Sequence, residues 1–347
     1  MNQLLTLALM LSLSAGFIAC SSDTDPQANQ ILFDAAIDVS ISQDMTGQGE
    51  IADMGTELDN GLVNESDAAV TFPPHSTGLS RHMLQHDGLV REYLLYVPES
   101  YTPTEPSALL LNFHGNGLNA DSQLATSDMR PFADESGTIL VYPTGSVLDG
   151  EGTHWNPLLD SPNNKSDADD FGFVAAMLDR LSTEFNVDAS RVYATGYSNG
   201  AGMVYGLACY LSDRVAAFAP VSGSMWTEMP GNCDPVHPTA IAIFNGTQDF
   251  ERPFNGYDGF LMSADAAAGF WVQHNGIADA PAIETFMSNG LTIERKRYTG
   301  GRGGAGVDLY KVIGGGHDWF DIDVAGQSLD QLIWDFLAQH DINGLRP

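Results

Sequence analysis

The chain has 347 residues, 45 acidic against 14 basic, and a formal net charge of -31 at pH 7. A surface of that sign repels phosphate, which excludes nucleic acid and anionic lipid as partners, and a hydrophobic share of 43% is enough for one large core. Only three lysines occur, Lys165, Lys296 and Lys311, a scarcity that goes with a solvated acidic surface.

Residues 1–19 lead from Met1-Asn2-Gln3 into an apolar stretch too short to span a bilayer, which reads as a secretory signal. Phe17-Ile18-Ala19-Cys20 resembles the bacterial lipobox, and that resemblance implies a lipid on Cys20; ordinary cleavage that discards Cys20 is the alternative. The expected location is therefore the outer membrane or cell surface as a lipoprotein, otherwise the periplasm or the medium, with membrane contact only through the lipid anchor. Residues 20–75 carry no Lys or Arg, two aromatics (Phe33 and Phe72) and no sustained period, so a disordered acidic tether is expected. A flexible chain of that length reaches on the order of 40 Å. Taking away its 11 acidic residues leaves 34 against 14 basic ones, so the rest of the chain is also negative, 14 − 34 = −20.

Residues 76–347 fit one α/β domain. Residues 89–97 alternate like a half-exposed strand, and 108–113, 138–142, 191–195, 216–221 and 240–244 are apolar enough to be strands buried on both faces. Val174, Met177, Leu178, Leu181 and Phe185 recur at helical spacing, as do Leu329, Leu332, Ile333, Phe336 and Leu337, which predicts two core-facing helices. About fifteen residues separate the strand ending near Gly223 from the next one at Thr239, too few for a helical cap domain, so an open groove is expected. With Cys20 assigned to a lipid, Cys209 and Cys233 form an even pair in an oxidising compartment and are expected to be bridged.

Gly196-Tyr197-Ser198-Asn199-Gly200 follows the strand at 191–195 and opens into a helix-compatible segment, the pattern of a nucleophile elbow. With 36 glycines in the chain, a G-x-S-x-G match arises by accident in roughly one such sequence in four, so its partners must carry the case. Acyl transfer by a serine needs a base, an acid to orient that base, and donors for the oxyanion. Asp249 lies just past the buried strand 240–244 in a Gly-bearing loop, and His317 follows the strand 307–313 through Gly314-Gly315-Gly316. Both outrank their rivals, Asp258, Asp265, His237 and His274, none of which directly follows a buried strand. The chain order Ser198, Asp249, His317 is that of α/β-hydrolases. Backbone amides of Asn199 and, in the loop His114-Gly115-Asn116-Gly117, of Asn116 are the expected oxyanion donors. His114 itself is expected to fix the loop. His82 and His86 have a helical ligand spacing but lack the glutamate of HExxH and a third ligand, so no metal is expected.

Together with Trp155-Asn156, Asp169-Asp170-Phe171-Gly172-Phe173, Arg191-Val192-Tyr193 and Asn245-Gly246-Thr247-Gln248-Asp249, these motifs resemble the polyhydroxybutyrate depolymerase and feruloyl esterase group of α/β-hydrolases over nearly all of residues 89–340. The resemblance implies a secreted serine esterase without metal or organic cofactor, acting through an acyl-enzyme formed on Ser198 with His317 and Asp249; a monomer is expected. Feruloyl or acetyl esters of plant polysaccharide and aliphatic polyester are the substrates it implies. The cysteine positions also look like a pair common in the group. The chain departs from the group at Asn116-Gly117-Leu118, where a more glycine-rich run is usual. Trp155 and Trp226 are candidates to line an acyl groove, with buried packing the alternative. A non-catalytic surface lipoprotein that binds glycan or polymer, and a serine peptidase, are the competing readings.

Overall fold

The computed structural model describes Phe72 and residues 76–148, 150 and 152–347; the segment 1–19, Cys20 and, Phe72 apart, the 20–75 tether lie outside the described residues. The elements begin with the strands β1 (Gly78–His86), β2 (Leu89–Val97) and β3 (Ser107–Phe113), then the helices α1 (Ala120–Thr126) and α2 (Arg130–Ser136), then β4 (Ile139–Pro143). A small hairpin of β5 (Ser146–Leu148) and β6 (Gly152–His154) precedes α3 (Asp170–Glu184), β7 (Val187–Tyr197), α4 (Asn199–Tyr210) and β8 (Ala217–Val221). After the one-turn α5 (Met229–Asn232) come β9 (Ala240–Gly246), α6 (Ala264–Asn275), β10 (Ala282–Ser288), β11 (Leu291–Tyr298), β12 (Val307–Ile313) and α7 (Leu329–Ala338).

Ten strands form one sheet in the order β1-β2-β4-β3-β7-β8-β9-β12-β11-β10. From β4 to β12 every neighbouring pair is parallel, and antiparallel strands close both edges. The central strands are apolar throughout because successive side chains point to opposite faces and both faces are covered. Leu109, Leu111 and Phe113 of β3 pack on one side with α3, α4 and α6, whereas Ala108 and Leu110 pack on the other with α1, α2 and α7. In β9, Ile241 and Ile243 join the first layer and Ala242 and Phe244 the second. This is the α/β-hydrolase architecture that the motif order implies.

Both predicted helices form. The side chain of Asp169 accepts the Gly172 amide to cap α3, and Ser328 accepts that of Gln331 to cap α7. Between β8 and β9 the chain holds only α5, so no cap domain is inserted there. Three strands depart from the sequence expectation. His82 and His86 lie on β1, a strand, and β10 and β11 occupy the opposite edge. These edge strands are polar on their solvent side, so they carry neither the apolar run nor the clean alternation by which a strand is recognised. Cys209, at the end of α4, and Cys233, just past α5, are joined in a disulfide.

Candidate active site

Parallel strands deliver their carboxyl ends to one edge of the sheet, and the candidate residues collect there. Ser198 sits in the turn between β7 and α4 with φ 55 and ψ -113, a left-handed backbone that a side chain tolerates only when its surroundings impose it. Those surroundings are tight. A Cβ on Gly200 would lie 2.4 Å from the Phe113 carbonyl oxygen and 2.5 Å from that of His114, and one on Gly196 would lie 2.9 Å from Gly200 and Phe113. The two glycines therefore let β7, α4 and the end of β3 approach closely enough to hold the serine out of the turn.

Ser198 Oγ donates to His317 Nε2 at 2.7 Å, and His317 Nδ1 donates to Asp249 Oδ2 at 2.8 Å. Asp249 is nearly buried and its Oδ1 accepts the amides of Glu251 (2.8 Å) and Arg252 (2.7 Å). Burial pushes its carboxyl upward, but the hydrogen bond from His317 and the two amides outweigh it and hold the group below the usual carboxylate range. An ionised acceptor therefore faces the imidazole. The arrangement links an alcohol, a base and a buried carboxylate in line, which is what proton removal from a nucleophilic serine requires.

In the loop after β3, His114 is fully buried, and its partners fix its tautomer: Nδ1 donates to the Gly115 carbonyl at 2.7 Å and Nε2 accepts the Gly145 amide at 2.8 Å. Burial lowers its pKa to about 4, so the ring is neutral and ties the loop to the end of β4, the loop-fixing role expected of it. Gly117 donates its amide to Thr153 of β6 at 2.7 Å. Asn116 stays exposed beside it and faces the same cleft as Ser198 and Asn199. Asn199, as first residue of α4, points its amide out of the helix end.

The cleft, of about 380 Å³, is lined by Asn116, Lys165, Ser198, Trp226, Arg252 and Phe260 among others. The two candidate tryptophans separate here. Trp155 is fully buried, edge-on to Phe113, with Nε1 donating to the His114 carbonyl at 3.0 Å. Trp155 and Trp226 both border the cleft, but the Trp155 ring is packed into its wall whereas Trp226 is only half-buried.

Several contributors carry no sequence pattern. Tyr197 Oη donates to the His317 carbonyl at 2.7 Å, and Ser222 Oγ to the Asp318 carbonyl at 2.6 Å, which together fix the histidine loop. Burial pushes the Tyr197 hydroxyl up to about 12, so it remains a donor. The Asn199 side chain brackets the Trp155 backbone, accepting its amide at 2.7 Å and donating to its carbonyl at 3.0 Å. Glu251 Oε2 lies 3.7 Å from His317 Nε2. Tyr197 and Asn199 flank the serine inside the motif itself, and that position was the one available signal. Of the rival residues, Asp265 pairs with Lys296 at 2.6 Å and His274 binds the His237 carbonyl, both away from the cleft.

The sequence profile of the Esterase PHB depolymerase family matches residues 91–234. Feruloyl esterase B of Piromyces equi is 29% identical over 261 residues, covering 72% of this chain, which spans only 45% of that protein's length. "Putative esterase NocK" of Nocardia uniformis subsp. tsuyamanensis is 30% identical over 255 residues, 67% of this chain and 71% of that one. Among solved structures, the acetyl xylan esterase from Aspergillus awamori superposes with a TM-score of 0.54 at 15% identity, covering 75% of this chain and 99% of the other, a likeness of fold.

Proposed function

Since the chain belongs to the Esterase PHB depolymerase family, we propose that it is a serine esterase that hydrolyses carboxylic esters through an acyl-enzyme. The observation that carries this reading is the unbroken pair of hydrogen bonds from Ser198 through His317 to Asp249. Ser198 Oγ attacks the ester carbonyl as His317 Nε2 takes its proton, and Asp249 offsets the charge that develops on the ring. Amides of Asn199 and Asn116 hold the carbonyl oxygen as it becomes an oxyanion. His317 then returns the proton to the departing alcohol. In the second half, water loses a proton to His317 and attacks the acyl-serine, and His317 returns that proton to Ser198 Oγ as the acid is released. A protein that only binds polymer supplies no reason to hold an alcohol, a base and a buried carboxylate in line.

The substrates we propose are feruloyl or acetyl esters of plant polysaccharide, or an aliphatic polyester. The family and the feruloyl esterase relative support that class. So does the rim: Phe250, next to Asp249, is 93% exposed, Tyr257 and Phe260 are exposed beyond it, and Trp226 and Leu261 continue the apolar wall into the cleft. Export is part of the proposal, supported by the Cys209–Cys233 disulfide, which persists in oxidising compartments.

The test is acid release from feruloyl arabinoxylan, acetylated xylan, polyhydroxybutyrate and p-nitrophenyl butyrate by wild type and Ser198→Ala. Wild type is expected to hydrolyse p-nitrophenyl butyrate and at least one polymer, and the variant to lose about 10⁴-fold or more. Equal rates for the two proteins would sink the proposal.

A further inference from the structure

In the loop proposed to bear an oxyanion donor, Asn116 carries a side chain that borders the cleft and has a partner there. Lys165 Nζ donates to Asn116 Oδ1 at 2.8 Å across the cleft, which both residues line with Ser198 and Asn199. Lys165 is one of three lysines in the chain, and it lines the same cleft as Ser198.

Its base is firmly set. The Lys165 amide donates to Asn156 Oδ1 at 3.1 Å, and Asn156 Nδ2 reaches the carbonyls of Ser166 (2.8 Å) and Ala168 (2.9 Å). Asn156 is itself nearly buried, and its amide donates to Asp170 Oδ2 at 2.7 Å. The preceding residue, Trp155, is the one whose backbone the Asn199 side chain brackets. A continuous chain of contacts thus runs from the residue after the nucleophile, through Trp155 and Asn156, to Lys165, and from there to Asn116.

We infer that Lys165 is a positioning residue for the oxyanion site: it holds Asn116 so that the backbone amide at that position faces the developing oxyanion. The inference rests on the proposed reading of Ser198 as nucleophile. An Asn at this position restricts the backbone more than glycine does, and the ammonium fixes which way the loop faces. Preorganised donors act on the charge that appears in the transition state, so loss of the clasp falls on kcat and leaves KM unchanged.

The experiment measures kcat and KM for p-nitrophenyl butyrate, together with the rate at which a p-nitrophenyl alkylphosphonate modifies the enzyme. The proteins are wild type, Lys165→Met, Lys165→Arg, Asn116→Gly and the Lys165→Met/Asn116→Gly double variant, with thermal melting as a check on folding. Complete loss of one oxyanion donor costs on the order of 100-fold, so Lys165→Met, which loosens a donor without removing it, is expected to lower kcat and phosphonylation together by about five- to tenfold. KM should stay within about twofold, and Lys165→Arg should recover most of the rate. In the Asn116→Gly background the lysine change should add nothing, because the acceptor is gone. A Lys165→Met protein with unchanged kcat, or one whose defect persists in full in the Asn116→Gly background, overturns the inference. Failure of the underlying reading looks different: there, Ser198→Ala is as active as wild type.

Discussion

Ser198 holds a backbone conformation that its own side chain disfavours, and three features impose it: the amide of Ser198 donates to Val221, the glycines at 196 and 200 admit close neighbours, and Asn199 grips Trp155. Strain of this kind persists only where the fold over-determines it. His114 belongs to the same scaffold, and its burial makes a pH prediction. In the unfolded chain its pKa is near 6.5, and in the folded protein it is lowered to about 4. The unfolded state therefore binds more protons between those values. The stability contributed is fully present above about pH 6.5 and is lost as pH falls toward 4, roughly 3 kcal/mol in all. Urea unfolding at pH 7 and pH 4.5 should show the wild-type free energy dropping by about 2–3 kcal/mol more than that of His114→Gln. Parallel drops would contradict the account. Ser198, Asp249 and His317 were legible because each closes an apolar run followed or preceded by glycine. Tyr197 and Lys165 were not, because their partners, the His317 carbonyl and Asn116, meet them only through tertiary folding.

At the scale of elements, legibility followed burial. The strands β3, β4, β8 and β9 and the second half of β7 are covered on both faces and announce themselves as apolar runs, and β2 matches its expected span of 89–97. The edge strands β1 and β10 face solvent and β11, beside β10, is mostly half-buried, so residues such as Arg81, Glu284 and Lys296 replace the apolar signal. Helix α4 stands behind Ser198, buried along nearly its whole length, and its far end is tied to α5 by the disulfide across 24 residues. Removing that link releases loop-closure entropy in the unfolded chain, worth about 3 kcal/mol. Denaturant unfolding of the Cys209→Ser/Cys233→Ser protein should show a loss of that order with a somewhat steeper denaturant slope, because the unlinked denatured chain exposes more surface. A loss below about 0.5 kcal/mol would show that the bridge does not constrain the unfolded chain as proposed.

For the molecule as a whole, the composition already limited the partners, and the architecture explains why residues far apart in the chain share one site. The loop after β3, the elbow after β7, Asp249 after β9 and His317 after β12 all lie at the carboxyl edge of the parallel strands. That convergence was readable from the order of motifs. The shape of the cleft was not, because it depends on how the loop after β9 folds back on the one after β8, where Thr227 donates to the Phe260 carbonyl and Met262 to that of Met225. In the proposed mechanism Ser198 alone is the nucleophile. The most direct measurement is mass spectrometry of the protein after inactivation by a p-nitrophenyl alkylphosphonate, with the modified peptide sequenced. One adduct per chain is expected, on Ser198, in step with the loss of esterase activity; an adduct on another residue, or full inactivation with Ser198 unmodified, would rule Ser198 out as the nucleophile.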